Sequence, residues 1–372
     1  AGKGQDRRPL AHPLSGADPL TLLSVLWQAG GGPPRGWGRA AGALGASLGR
    51  LPLSLAEAAV TPLLRRGRSL ERPPLFLMGH WRSGTTHLSN VLGKAGLGIV
   101  DPVSVGLPWD TLLLGRWLRP LLVKALPKGR FIDEVAVNPD SPQEDETAVA
   151  NMTALSYFHA IYFPRAFDRF YWRGLFLEGA APALVRQWER RLDRFLWKLE
   201  RLQPGRTLLV KNPVYTARVA QLARLYPGAK FLHIVRNPHE VFASTRGFFP
   251  KMFEALALQP WDQVAVERVV LETYPRLMEP LIADSATLPP GHFAETSFEA
   301  FERQPLVELE RLWAELGLAD FAAARPQMAD YLGGVRSYAR AARRFPARDI
   351  ALVEQQWRRY LDHWGYGRPE SA

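Results

Sequence analysis

The apolar run "LFLM" at residues 75–78 breaks into "GHWRSG" and then into "TTHLSNVL", so a short strand turns through a glycine loop into a helix. This junction constrains the fold more than any other segment. Strand, tight turn and helix in that order form the opening of a parallel βα unit. The loop also has a chemical consequence, because backbone N–H groups and the positive end of the helix dipole converge on one point that suits an anion. Its spacing is close to GxxxxGK[ST], with Gly79, Gly84 and hydroxyls after it, but Thr85 stands where a triphosphate loop has lysine. Positive charge comes instead from Arg82, inside the turn.

The theme recurs twice. "TLLVK" (207–211) leads through "NPV" into "YTARVAQLARLYPG", with Val219, Leu222 and Tyr226 on one face. "KFLHIVR" (230–236) leads through "NPHE" into a helix beginning near Val241, and "GHFAETSFE" (291–299) is a fourth strand followed by the helix "PLVELERLWAELGL". Continuous apolar strands alternating with helices predict an α/β fold: three layers, α/β/α, around a central parallel sheet. Residues 1–72 carry short helical patterns separated by "QAGGGPPRGWGRAAG" and read as a helical N-terminal layer on a core of residues 73–372. A helical cap insertion of about 100–205 lies between the first two units, and "LVRQWERRLDRFLWKLERL" there sets Leu184, Trp188, Leu192, Phe195 and Leu199 on one stripe. The whole is expected to act as one functional domain.

Ligands of such sheets bind at the carboxyl ends of the strands, where all the notable motifs fall. "RSGTTHL" resembles the loop with which sulfotransferases bind the 5′-phosphosulfate of 3′-phosphoadenosine 5′-phosphosulfate (PAPS). "HIVRNPHEVFAST" is similar to that family's 3′-phosphate site, a strand-end arginine with a serine eight residues on. The resemblance runs from about residue 10 to the C-terminus and includes "SPQEDE", "VKNP" and the closing "RRYLDHWGY". It implies a P-loop-like fold and transfer of a sulfuryl group from PAPS to a hydroxyl or amine, leaving adenosine 3′,5′-bisphosphate (PAP). It also implies donor contacts from Arg82, Ser83, Gly84, Thr85, Thr86, His87, Arg236 and Ser244. Within the basic segment "VRSYARAARRFPARD" (335–349), Arg336, Arg340, Arg343 and Arg344 read either as 3′-phosphate contacts or as a solvated helix face. PAPS has no β,γ-phosphates for magnesium to bridge, so neither a metal nor the missing lysine is required.

The base is less direct. Cytosolic sulfotransferases follow a strand-end lysine with a histidine; Lys211 matches the lysine, but Asn212, Pro213 and Val214 supply no histidine, and Tyr215 stands where many bacterial relatives show one. Attention moves to "DSPQEDETAVANM" (140–152), which resembles an acidic segment of the bacterial group. Glu146 ranks first as base, Glu144 second and Asp145 third, since Ser141, Pro142 and Glu144 also fit a helix-capping box. Arg82 and Lys211 complete the catalytic set by neutralising the leaving group.

The sequence has no cysteine, which excludes disulfides and thiolate metal sites. A net charge of +11 suits an anionic partner. "TLLLGRWLRPLLVKAL" (111–126) is interrupted by Arg116 and Arg119 and is too short to span a bilayer. No signal-peptide pattern opens the chain, and Ala1 in place of Met suggests a trimmed or tagged start. A cytoplasmic location is the expectation, with peripheral membrane contact as a variant of it. "SYFHAIYFPRAFDRFYW" (156–172) fits an apolar, lipid-like small-molecule acceptor or a packed core. Two other readings compete: a P-loop kinase or NTPase, which predicts lysine after Gly84, and a non-enzymatic basic protein that binds membranes or nucleic acid. No nucleic-acid motif is present, so nucleic acid is not an expected partner.

Overall fold

The computed structural model describes residues 12–31, 37–67, 69–117, 119–120, 123, 139–335 and 344–371. Five strands form one wholly parallel sheet: β1 (Leu75–Met78), β2 (Gly98–Ile99), β3 (Leu208–Lys211), β4 (Lys230–Val235) and β5 (Phe293–Ser297), in the order β2-β3-β1-β4-β5. The first βα unit is therefore central, flanked by the second and third. Side chains of β1 alternate between two cores: Phe76 and Met78 join a large cluster on one face, Leu75 and Leu77 a smaller one on the other. This is the expected α/β/α sandwich. β2 was not foreseen; it is two residues long and edges the sheet beside β3.

The N-terminal layer consists of α1 (Pro19–Gln28) and α2 (Trp37–Arg65), ahead of α3 (Thr85–Leu92), the helix after the glycine loop. Asp18 caps α1 by accepting from the N–H groups of Leu20 and Thr21, each at 3.1 Å. α2 differs from expectation: it takes in "WGRAAG", the last part of the stretch that read as a separator. Thr21 Oγ1 donates to the carbonyl of Met152 at 3.3 Å, and the buried pair Lys198 Nζ to Glu57 Oε1, 2.6 Å apart, ties α2 to the helix Pro182–Leu202. Among the described residues of the cap insertion all regular structure is helical, and Trp188, Leu192, Phe195 and Leu199 of the expected stripe are buried. The aromatic run 156–172 resolves as core, with Tyr157, Phe163, Phe170 and Tyr171 buried. No described helix is long and apolar enough to cross a membrane.

Candidate active site at the mouth of the central strands

The loop after β1 depends on its glycines. Gly79 has φ 154° and Gly84 φ 105°. A Cβ on Gly79 would lie 2.5 Å from the carbonyl of Ile234, and one on Gly84 would lie 2.3 Å from the Phe298 ring. Neither position admits a side chain, so the backbone can turn tightly and present the first-turn N–H groups of α3, which have no intrahelical acceptors, to the mouth of the sheet. Arg82 itself takes a left-handed conformation, φ 70°. Ser83 is buried and its hydroxyl has no hydrogen-bond partner among the described residues, a polar atom suited to an anionic oxygen.

Two motifs far apart in sequence meet here. Arg82 Nε donates to Ser244 Oγ at 2.9 Å, and Arg236 Nη1 donates to the carbonyl of Arg82 at 3.2 Å. Arg236 is further held by Glu240, 3.1 Å away, and lies over the Phe298 ring at 4.7 Å. From β3, the buried Lys211 brings Nζ within 3.3 Å of both Thr86 Oγ1 and Glu144 Oε1. Arg82, Ser83, Gly84, Thr86, Lys211, Arg236 and Ser244 are thus gathered at one end of the sheet. Thr85 is buried in the first turn of α3, and the ring of His87 faces Phe301 at 5.3 Å. Arg344 points to the C-terminal tail, 3.7 Å from Glu370; Arg336, Arg340 and Arg343 lie outside the described residues.

The acidic segment is arranged differently from its local pattern. No helix starts at Ser141 or Pro142; it begins at Glu146, and Glu144 instead forms a parallel β-bridge with Lys211. The capping-box explanation of Glu144 therefore fails, because pairing with a strand distant in sequence overrides the local cap. Asp145 and Glu146 sit deeper. Asn212 Nδ2 donates to both, at 2.8 Å to Asp145 Oδ1 and 2.9 Å to Glu146 Oε2. The Tyr215 hydroxyl donates to Asp145 Oδ2, and Ser156 Oγ donates to Glu146 Oε1 at 2.6 Å. Burial raises both carboxyls to about 7, against the pull of these donors. Asn212, Tyr215 and Ser156, which hold these carboxyls, are not among the site residues expected from the sequence. The only signal was the position of Asn212 and Tyr215 in "VKNPVY", just past a strand end.

Among the described residues no group of three or more His, Asp or Glu could hold a metal ion. First-turn N–H groups and gathered cations at the mouth of a parallel sheet suit a transferase that handles anionic groups. The chain belongs to the sulfotransferase family, whose profile matches residues 73–322. Among its relatives is the omega-hydroxy-beta-dihydromenaquinone-9 sulfotransferase Stf3 of Mycobacterium tuberculosis, 31% identical over 309 residues, which span 81% of this chain and 77% of the relative. The protein of the same name from Mycobacterium bovis matches equally. The fold is shared with sulfotransferase STF9 of Mycobacterium avium (TM-score 0.65, 15% identity, 99% of this chain and 100% of that one). It is also shared with STF1 of Mycobacterium tuberculosis (TM-score 0.57, 15% identity, 94% of each). The protein is therefore a transferase acting on sulfuryl groups, and the kinase or NTPase alternative has no support.

Proposed function

We propose that the chain transfers the sulfuryl group of PAPS to a hydroxyl or amine of a small-molecule acceptor, releasing PAP without a metal. The observation that carries this reading is the contact of Arg82 with Ser244 beside Arg236, which joins the loop of residues 82–87 to the strand-end arginine. The unpartnered Ser83 hydroxyl and the two glycines without room for a Cβ suit the 5′-phosphosulfate, while Arg236 and Ser244 suit the 3′-phosphate. PAPS would supply an activated sulfuryl group on a phosphate leaving group.

The residues have separable tasks. Arg82 and Lys211 would neutralise charge growing on the leaving oxygen. Glu144 would take the acceptor's proton, ahead of Glu146, which the sequence alone ranks first. It keeps some exposure and lies 3.3 Å from Lys211, whereas both oxygens of Glu146 are already hydrogen-bonded in a sealed pocket. Asp145, Glu146, Asn212 and Tyr215 would position Glu144 through the chain they share. Residues 1–72 would serve as a layer on the same functional unit.

For the acceptor, the relative Stf3 is named for a menaquinone-derived lipid alcohol. A lipid-like alcohol is therefore our reading here too, met by a cytoplasmic enzyme at a membrane surface. The test is incubation with PAPS and a panel of prenyl alcohols, phenols, amines and sugars, followed by mass spectrometry. Sulfated prenyl alcohol with stoichiometric PAP is expected. Thermal stabilisation by ATP and magnesium but not by PAP would overturn the donor assignment.

A further inference from the structure

α2 is amphipathic with its faces reversed. Ser47, Arg50, Ser54, Glu57, Thr61 and Arg65 recur at spacings of three and four, one helical stripe. A surface helix of a soluble protein turns such a stripe to water. Here it faces the protein. Ser47 Oγ donates to the Ala17 carbonyl at 2.7 Å, Arg50 and Ser54 both bind Asp110, Glu57 pairs with Lys198 at 2.6 Å, and Arg65 pairs with Asp193 at 2.6 Å. What faces outward is apolar: every exposed position of α2 from Ala41 to Leu64 is Ala, Gly, Pro, Val or Leu. Leu48, Leu55 and Leu63 are 52%, 60% and 72% exposed. α1 likewise exposes Leu20, Leu23 and Trp27, one turn or two apart, while its opposite face bonds the helix that begins at Glu146.

Charge decides what can cover this face. Between Pro19 and Gly67 the sequence holds one acidic residue, Glu57, and it is buried. Past the last turn of α2, Arg66 is exposed, whereas Arg65 is turned inward to Asp193. A second copy laid on the same face would bring no carboxylate to Arg66, whereas an anionic head-group layer complements it. At 29 residues, α2 would lie about 43 Å along a surface. Amphipathic helices of this kind rest in the interface, with aliphatic and indole side chains among the upper acyl carbons.

We infer that the outer face of α1 and α2 seats this enzyme on an anionic bilayer, with α2 in the plane of the head groups. The inference deepens the lipid-acceptor reading above, but its evidence is the inverted helix alone, and it is tested without turnover. In flotation of the full chain with phosphatidylglycerol vesicles, the wild type should rise with the lipid. The triple variant Leu48→Ser, Leu55→Ser, Leu63→Ser should lose partition by roughly tenfold or more while binding PAP as the wild type does. Because the chain has no cysteine, Leu55→Cys and Glu302→Cys can each carry a single environment-sensitive dye. A blue shift on vesicles at 55 and none at 302 is expected. The proposal is overturned if the wild type stays unbound, if the triple variant floats equally well, if the dye at 55 does not shift, or if sedimentation shows a dimer that the triple variant dissolves. Failure to sulfate any lipid alcohol, with vesicle binding intact, would overturn the acceptor reading and leave this one standing.

Discussion

Arg82 Nε donates to Ser244 Oγ at 2.9 Å, a contact between residues 162 apart that fuses the glycine loop with the helix after β4. If both bind the donor, each should be needed for nucleotide affinity. Arg82→Ala should weaken PAP binding by roughly tenfold or more, since a charge-assisted hydrogen bond is lost, and Ser244→Ala by several-fold. Isothermal titration calorimetry measures both, and unchanged affinity in the two variants sinks the assignment.

The choice between carboxylates has a kinetic signature. Glu144→Gln should lower kcat by roughly 10²–10⁴ while PAP still binds, as expected for loss of a general base. Glu146→Gln keeps the size and hydrogen bonds of a protonated acid and should retain most of the turnover. The opposite pattern in steady-state assays would return the base to Glu146.

The buried acids also predict a pH dependence. Asp145 and Glu146 are raised from ordinary values of 3.8 and 4.5 to about 7, so the folded state holds their protons more tightly than the unfolded chain. Their contribution is complete below the ordinary values and is lost as pH rises to about 7. The buried His12, His80 and His159, lowered to about 4, act in the opposite sense over an overlapping range. Comparison with Asp145→Asn/Glu146→Gln cancels them: the variant's melting temperature should gain on the wild type between pH 5 and pH 7.5. A difference constant with pH contradicts the prediction.

Glu57 and Lys198 form a buried ion pair, with the ammonium also donating to the carbonyls of Pro108 and Trp109 at 3.0 Å each. Glu57→Ala strands that charge and should cost about 3–5 kcal/mol in urea unfolding. Glu57→Leu with Lys198→Met should recover most of the loss.

What was legible in the sequence was local. Strand ends, the glycine loop and the Arg236–Ser244 spacing depend on neighbours along the chain, and they fell where expected. β2 was illegible because two residues carry no periodicity. Glu144 was misread because its partner, the backbone of Lys211, is remote, and the value of Asn212 lies in two carboxylates more than 60 residues away. The period of α2 was readable, but a period gives a helix two faces without saying which one turns inward.

Phe298 touches both halves of the candidate site: its ring occupies the space where Gly84 would carry a side chain, and the Arg236 guanidinium rests over it. The three positions are consequently coupled through one ring. Any replacement at 298 alters what is tolerable at 84 and 236 together, so substitutions there should be epistatic, with double-mutant effects far from the sum of the single ones.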